Sequence, residues 1–488
     1  MDIKEVKKKG KVGLMVCGHK EYWPQFPGMK EQFIKNAADF KKLLESQGVE
    51  VVAYTNAAGD FIVDTTEDGY QAGLMFKAED IDLLFQFNCA YVASGRYVQG
   101  IKAAGCPVVI VGYQMSLDVS KATTYWTHAG GGACPLPEAY NALTRSGIEP
   151  VGLEYGHYLI PDFDARFTKN ISEWCRVATA LRCMKGSIFG HLGHTYEGML
   201  DMNFDPTTIE RTFGIHVKMV EMCEFVDYVH SATDKEVKDK IKMIRDTFEF
   251  MDPSYDPTTR KILDEDLDWT ARVSVGMDKL VSNNNLSGVA YYYEGLNNEY
   301  EKVACSMIIG NSLLVSAGIP FAGESDMKTC VAMYITSCLG CGGSFAEFCP
   351  TIFEEKIQMV GHDGPHDIRI SDGKPQMRAL TTFHGKKGEG LSVDFSLKEG
   401  PITMLGLSSD IDGNYSFSVA EGESQKGPKP ANGNTMTRGY FGEGDIGAFV
   451  EDWSSSGINH HFSLSIGHNA SVLKKLAKTL NIPFKQVR

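Results

Sequence analysis

The run Gly323-Glu324-Ser325-Asp326-Met327-Lys328-Thr329 is followed by Gly343-Ser344-Phe345-Ala346-Glu347, and His362 and His461 lie further downstream. Asp326 to Leu339 carries a helical pattern, so Glu324 precedes a helix and Glu347 follows it after a glycine turn. This spacing lets both carboxylates project into one cleft, and the four residues Glu324, Glu347, His362 and His461 read as one divalent metal site. Carboxylate and imidazole donors without a thiolate favour Mn2+, Mg2+, Co2+ or iron over structural zinc. A cation held this way leaves room for substrate oxygens. It polarises a carbonyl and stabilises a developing enediolate while carboxylates relay protons between neighbouring carbons, which is isomerase chemistry. Taken singly, a glutamate at a helix start is an ordinary cap interaction and a solitary histidine is core or surface. The set makes the case.

The elements that must position these residues follow from hydrophobic periodicity. Lys11 to Cys17, Val49 to Tyr54, Ile81 to Phe87 and Pro107 to Tyr113 read as short buried strands, with Gly28 to Ser46 helical between the first two. Alternating strands and helices imply βαβ units and a parallel sheet, hence a doubly wound α/β domain over residues 1–150. A second α/β unit, 151–322, is expected from a helix at Asn170 to Cys183 and a strand at Gly186 to Gly190. It continues with mostly solvated helices at Asp234 to Glu249 and Thr259 to Val281, a strand at Gly288 to Tyr293 and one long helix at Glu301 to Ala317. Beyond about Gly343 the pattern changes to short runs broken by Gly, Pro, Asp and Asn. Ile357 to Val360, Met377 to Phe383, Leu391 to Phe395, Ile402 to Ser408 and Tyr415 to Val419 suggest antiparallel sandwich or barrel strands. Ala420 to Thr437 reads as a long surface loop, and Ala470 to Leu480 as a closing helix. The fold class is therefore α/β: two doubly wound domains followed by a β-rich, barrel-like domain over 323–488 that carries most of the candidate ligands.

In doubly wound sheets ligands gather beyond the carboxyl ends of the strands. Here those positions hold Gly18-His19-Lys20-Glu21-Tyr22-Trp23, then Asn88, then Gly112-Tyr113-Gln114. The dinucleotide signature G-x-G-x-x-G is missing after the first strand, which argues against a nicotinamide or flavin cofactor. Tyr125-Trp126-Thr127-His128 runs into three glycines and reads either as a connector or as a loop that approaches a ligand. His191 and His194 have no local acidic or cysteine partner at metal spacing, so they read as loop or substrate-contact residues.

Composition removes several classes of function. A net charge of -14 over 488 residues argues against a nucleic-acid or anionic-lipid footprint. No apolar run approaches membrane-spanning length, and the charged N-terminus lacks a signal-type core, so the cytoplasm is the expected compartment. The 12 cysteines are scattered, as expected of buried thiols in a reducing environment, and Cys338-Leu-Gly-Cys341 reads as packing beside glycines.

Gly-Glu-Ser-Asp-Met-Lys-Thr, Gly-Gly-Ser-Phe-Ala-Glu, Val-Gly-His and His460-His461 resemble, in order, the metal-site motifs of L-arabinose isomerases. Gly193 to Val217, with Asp205-Pro206 and Phe213-Gly-Ile-His-Val217, is similar to the second domain of L-fucose isomerases. The resemblance implies a metal-dependent aldose-ketose isomerase of the L-fucose/L-arabinose isomerase superfamily. Glu324, Glu347, His362 and His461 would be Mn2+-type ligands, and Glu324 and Glu347 the acid-base pair. It also implies a homotrimer or homohexamer with sites between subunits, so His19, Tyr22, Gln114 and His128 would contact sugar bound at a neighbour's metal. A lyase or epimerase using the same chemistry, or a non-catalytic sugar-binding protein, are the alternatives. The first loop departs from the arabinose enzymes, and the Glu347 to His362 stretch is shorter. The sugar is therefore open between a neutral pentose, a 6-deoxyhexose and an anionic sugar.

Overall fold

The structure, a computed structural model, describes residues 8–116, 120, 132–294, 297–383, 386–430 and 435–488. They gather into two compact units, Lys8–Cys183 and Met184–Arg488.

The first unit is built on five parallel strands: β1 (Lys11–Cys17), β2 (Glu50–Ala53), β3 (Leu83–Asn88), β4 (Val108–Met115) and β5 (Gly152–Tyr158), in the order β2-β1-β3-β4-β5. β3 is buried along its whole length and β1 nearly so, which is why both read as unbroken apolar runs rather than alternating ones. The chain reverses direction across the sheet between β1 and β3, the crevice where such sheets bind ligands. β5 lies beyond residue 150, and its pairing with β4 keeps residues 152–158 in this first sheet.

The second unit contains two large sheets, beside a small one formed by Ser392–Asp394, Gln376–Leu380, Glu249–Phe250 and Thr259–Arg260 and a two-stranded one of Thr382–Phe383 and Lys386–Lys387. Four parallel strands, β6 (Ser187–Leu192), β7 (Ile215–Val220), β8 (Gly288–Tyr291) and β9 (Phe321–Ala322), form a sheet in the order β9-β8-β6-β7. β9 delivers the chain straight into Gly323. The largest sheet takes seven of the later strands, β10 (Ser344–Ile352), β11 (Ile357–His362), β12 (Gly400–Ser409), β13 (Tyr415–Gln425), β14 (Thr435–Tyr440), β15 (Phe462–Ile466) and β16 (Phe484–Val487). Six of them close into an antiparallel ring, β12-β15-β10-β11-β14-β13 and back to β12, with β16 added in parallel outside β13. Closure removes sheet edges and gives a rigid frame for the side chains at its strand ends.

Three expectations are corrected. The helix Asp264–Asn284 is not solvated: Leu267, Ala271, Val273, Val275, Met277 and Leu280 are buried along it, and Thr259–Arg260 is a separate short strand. The long helix expected at Glu301 to Ala317 is two, Asn298–Ala304 and Ile308–Ser316. No helix breaker marks the interruption; buried Ser306 sits there, its hydroxyl accepting from Trp269 Nε1 (2.9 Å) and donating to the Lys302 carbonyl (2.7 Å). Ala420 to Thr437 is not one loop, since β13 runs to Gln425 and β14 begins at Thr435. Ala420, Gly422 and Ser424 point inward and Glu421 and Glu423 outward, so the alternation exists but its inner face is small rather than apolar. Gly422 is required there, because a Cβ would lie 2.5 Å from the Tyr440 carbonyl on the neighbouring strand.

Among the described residues, no helix is long and apolar enough to cross a membrane, and all 12 cysteines are free thiols.

Candidate metal centre

Glu324 sits in the turn between β9 and the helix Met327–Cys338. Its φ of 56° and the 62° of Ser325 are left-handed conformations that non-glycine residues rarely adopt. Such strain persists only where surrounding structure enforces it, and here it points a carboxylate into the protein instead of continuing the helix. Glu324 is only 8% exposed. The residues that hold the turn follow at once: Asp326 caps the helix, accepting from Thr329 N–H (3.0 Å) and Thr329 Oγ1 (2.7 Å).

Glu347 lies on β10 and His362 ends β11, its antiparallel neighbour, in which Glu347 pairs with Gly361. His461 immediately precedes β15, which pairs with the other side of β10. Three adjacent barrel strands thus bring Glu347, His362 and His461 to one rim. Gly361 is needed for the closeness of β14, since a Cβ would lie 1.9 Å from the Thr435 carbonyl.

One donor atom each from Glu347, His362 and His461 fall within 4.8 Å of one another, and so do those of Glu324, His460 and His461. His461 Nε2 lies 3.6 Å from Glu324 Oε2, and His362 Nε2 lies 4.0 Å from Glu347 Oε1. The Phe345 ring packs against both His362 and His461, at centroid distances of 4.8 and 4.3 Å, and forms an apolar floor. Glu324 Oε2 and His461 Nε2 are buried without a hydrogen-bond partner. Unsatisfied donors and acceptors of this kind cost free energy unless something between them is bound. Carboxylate and imidazole donors without a thiolate are of the kind that suits a divalent cation, in two clusters that share His461.

His461 is oriented from behind, its Nδ1 3.2 Å from Asp326 Oδ2, whereas His362 Nδ1 lies 3.1 Å from Asp363 Oδ1 as an ion pair without hydrogen-bond geometry. His460 Nδ1 is 2.7 Å from Asp201 Oδ2. Sequence reading did not assign Asp201, Asp326, Asp363 or His460 a role. The adjacency of Asp363 to His362 and the doublet His460-His461 were visible signals; the partnership of Asp201 with His460 was not.

Burial and charge set the protonation of the site. Burial raises the Glu324 carboxyl above its usual range, with nearby His362 and His460 working against that rise. Burial disfavours the His362 cation, yet Asp363, and then Glu347 and Glu324, outweigh it and lift its pKa to about 9. For His461 burial wins over Asp326 and the pKa falls to about 4. The Asp326 carboxylate, penalised by burial, is nonetheless held down at about 2 by His461 and Thr329.

Of the expected sugar-contact residues, His19, Tyr22 and Gln114 fall in the first unit, and His128 lies outside the described residues. His19 and Tyr22 follow β1, with rings in edge contact at 4.5 Å, and His19 also meets Tyr91 beyond β3. They stand at the β1/β3 crevice. Trp23 Nε1 donates to Asp64 (2.6 Å), so its polar atom is already engaged. Gln114, near the end of β4, lines an open pocket of about 670 Å3 with Ser116, His157 and Arg166. In the second unit His191, next to last in β6, is buried with Nδ1 3.3 Å from Met219 Sδ, and the His194 ring lies tilted against Tyr292 at 4.1 Å.

Residues 202–342 match the L-arabinose isomerase central domain family. The chain is similar to an L-arabinose isomerase of Vibrio parahaemolyticus, 22% identical over 268 residues, which is 51% of each protein. It is also similar to those of Yersinia enterocolitica, 21% identical over 314 residues (62% of this chain, 61% of the relative), and Herpetosiphon aurantiacus, 21% over 335 residues (66% and 64%). The chain thus spans between half and two thirds of the length of the relatives it matches. Against a solved structure, the glycosyltransferase SnogD from Streptomyces nogalater, the TM-score is 0.14 at 9% identity over 68% of this chain and 88% of that one, too low to bear on fold.

Two outcomes are expected. Replacing Asp326 by Asn keeps a competent helix cap but removes the charge behind His461, so Mn2+ affinity falls about 10- to 100-fold while far-ultraviolet circular dichroism is unchanged; undiminished affinity in a titration followed by Mn2+ electron paramagnetic resonance contradicts the role. The second concerns protons. With its folded pKa near 9, above the usual 6.5, His362 stabilises the metal-free fold below pH 6.5 and loses that contribution as pH rises through 9. Ligation needs the neutral ring, so at about pH 7.5 binding expels roughly one proton, and affinity climbs about tenfold per pH unit up to about 9. Calorimetry in buffers of different ionisation enthalpy reads that proton directly, and a pH-independent affinity contradicts it.

Proposed function

We propose, from the premise that this chain belongs to the L-fucose/L-arabinose isomerase superfamily, that it is a metal-dependent aldose-ketose isomerase acting on a monosaccharide. The observation that carries this reading is the pair of ligand-type clusters that share His461, with Glu347 and His362 at the barrel rim and Glu324 in the turn after β9, and with Glu324 Oε2 and His461 Nε2 buried and unsatisfied. Mn2+, or another divalent cation such as Mg2+ or Co2+, is the cofactor those donors suit. When bound, the cation supplies a Lewis acid that polarises the sugar carbonyl and its neighbouring hydroxyl.

The protein's own groups then do the proton work. Interconversion of an aldose and a ketose moves one proton between C2 and C1 and one between their oxygens, through an enediol. Two carboxylates are suited to this, one taking the carbon-bound proton and the other managing the hydroxyl. In the metal-free site burial lifts the Glu324 carboxyl above its usual range. Glu347, more open at 35% side-chain exposure, is the group a sugar reaches first. Phe345, fully buried, packs behind the His362 and His461 rings and fixes their positions.

His19, Tyr22, Gln114 and His128 we assign to sugar contact in a homotrimer or homohexamer whose sites lie between subunits. That assignment rests on the superfamily and on the place of His19 and Tyr22 at the β1/β3 crevice. The sugar itself is decided by a metal-supplemented screen of aldoses and ketoses, including deoxy, phosphorylated and sulfonated forms, with the carbonyl position as readout. Glu347→Gln is expected to lower turnover of the best substrate at least a thousandfold with circular dichroism unchanged, in keeping with loss of a proton-transferring group. Undiminished turnover in that variant would falsify the assignment, and a cleaved or C-epimerised product in the screen points instead to a lyase or an epimerase.

A further inference from the structure

His362 is the last residue of β11, and its ladders stop there: β10 pairs as far as Gly361 and β14 as far as His362. The chain then turns through Asp363, Gly364 and Pro365, so the sheet alone does not fix where the His362 ring comes to rest. That turn lies against the ring, since a Cβ on Gly364 would stand 3.2 Å from His362 Nδ1. Whatever holds the turn therefore holds a candidate ligand.

The residue that closes it is His366. Its Nε2 lies 2.8 Å from the His362 carbonyl oxygen, and because a carbonyl only accepts, Nε2 carries the proton. The backbone N–H of His366 donates to Ser312 Oγ (3.3 Å), the Ser312 hydroxyl donates to Asn311 Oδ1 (3.4 Å), and Asn311 Nδ2 donates to Tyr291 Oη (3.1 Å). Every member of this chain is buried. It runs from the end of β8, across the helix Ile308–Ser316, to the end of β11. At its far end Tyr291 Oη stands beside the turn that carries Glu324, where a Cβ on Gly323 would lie 3.9 Å from it.

Two observations separate this arrangement from ordinary packing. His366 Nδ1 is buried with no hydrogen-bond partner, a cost that an apolar side chain in the same space would avoid, so the imidazole's contribution is its Nε2 bond. The two ligand-type clusters, Glu324 with His460 and His461 and Glu347 with His362 and His461, have only His461 in common. The buried chain from Tyr291 to His362 is a second tie between them, made from behind.

We infer that His366 is a positioning residue of the metal centre: its Nε2–H bond to the His362 carbonyl, anchored through Ser312 and Asn311 on Tyr291, holds His362 where one cation can take both it and Glu324. This rests on the metal-dependent reading above and deepens it, since a residue that touches neither cation nor sugar then decides whether the His362 imidazole is delivered.

The test uses the full-length protein loaded with Mn2+ in the absence of sugar. Electron spin echo modulation counts coordinated imidazole nitrogens, and a titration gives the affinity. Two nitrogens, from His362 and His461, are expected in the wild type. His366→Phe fills the space without the N–H and is expected to show one nitrogen and a Mn2+ affinity lower by about tenfold or more. His366→Gln offers an amide N–H to the same carbonyl and is expected to restore the second nitrogen. Two nitrogens at undiminished affinity in His366→Phe overturn the inference, and so does a loss that His366→Gln does not restore, which is the mark of packing alone. If His366→Phe does not fold, Ser312→Ala decides: it keeps the imidazole, frees its main-chain anchor and is expected to weaken Mn2+ binding about threefold, and unchanged binding there overturns the inference. A wild-type protein that takes up no Mn2+, or holds it through fewer than two imidazoles, removes the four-residue reading itself, and the inference with it.

Discussion

The site depends on one fully buried carboxylate. Asp326 starts the helix Met327–Cys338 through Thr329, receives both Asn459 Nδ2 contacts (3.2 and 3.3 Å), and holds His461 by Nδ1. A buried charge is tolerated only when it is fully hydrogen-bonded, so each of these partners is constrained by the others. The consequence is that the end of a parallel sheet, the start of a helix and the approach to a barrel strand are fastened at a single point. The depressed acidity of Asp326 expresses the same fact: its folded value of about 2 lies below the usual 3.8, so its contribution to stability is present above pH 3.8 and lost as pH falls through 2.

Around that point the two large sheets of the second unit divide the labour. The parallel sheet ends in β9 and throws Glu324 into a left-handed turn, a strained conformation that a free chain would avoid. The closed ring supplies Glu347, His362 and His461 from adjacent strands, whose register cannot slip without moving every side chain to the wrong face. Strain on one side and rigidity on the other are what a precise cation site needs, because metal ligands misplaced by even half an ångström lose affinity.

Much of this was legible in the residues. β1, β3 and β4 read as strands because both their faces are buried, and the helix Met29–Ser46 because its apolar residues repeat at helical spacing. The residues Glu324, Glu347, His362 and His461 were legible only as ordered motifs, since 137 positions separate Glu324 from His461. What stayed hidden was of two kinds. β10 carries Glu347 but contains Pro350 and a half-buried, non-alternating pattern, so nothing in it announces a strand. The second kind is tertiary partnership: Asp201 and His460 stand 259 residues apart, and only the packing of the second unit brings them to 2.7 Å.

The central claim is that Glu324, Glu347, His362 and His461 hold one divalent cation. Anomalous diffraction at the manganese edge, from crystals of the protein grown with Mn2+, tests it most directly. The account predicts one strong peak per chain with donor atoms of these four residues roughly 2.0–2.3 Å away. A manganese peak elsewhere in the chain, or a fully ordered site in which the four side chains surround no anomalous density at saturating Mn2+, contradicts it.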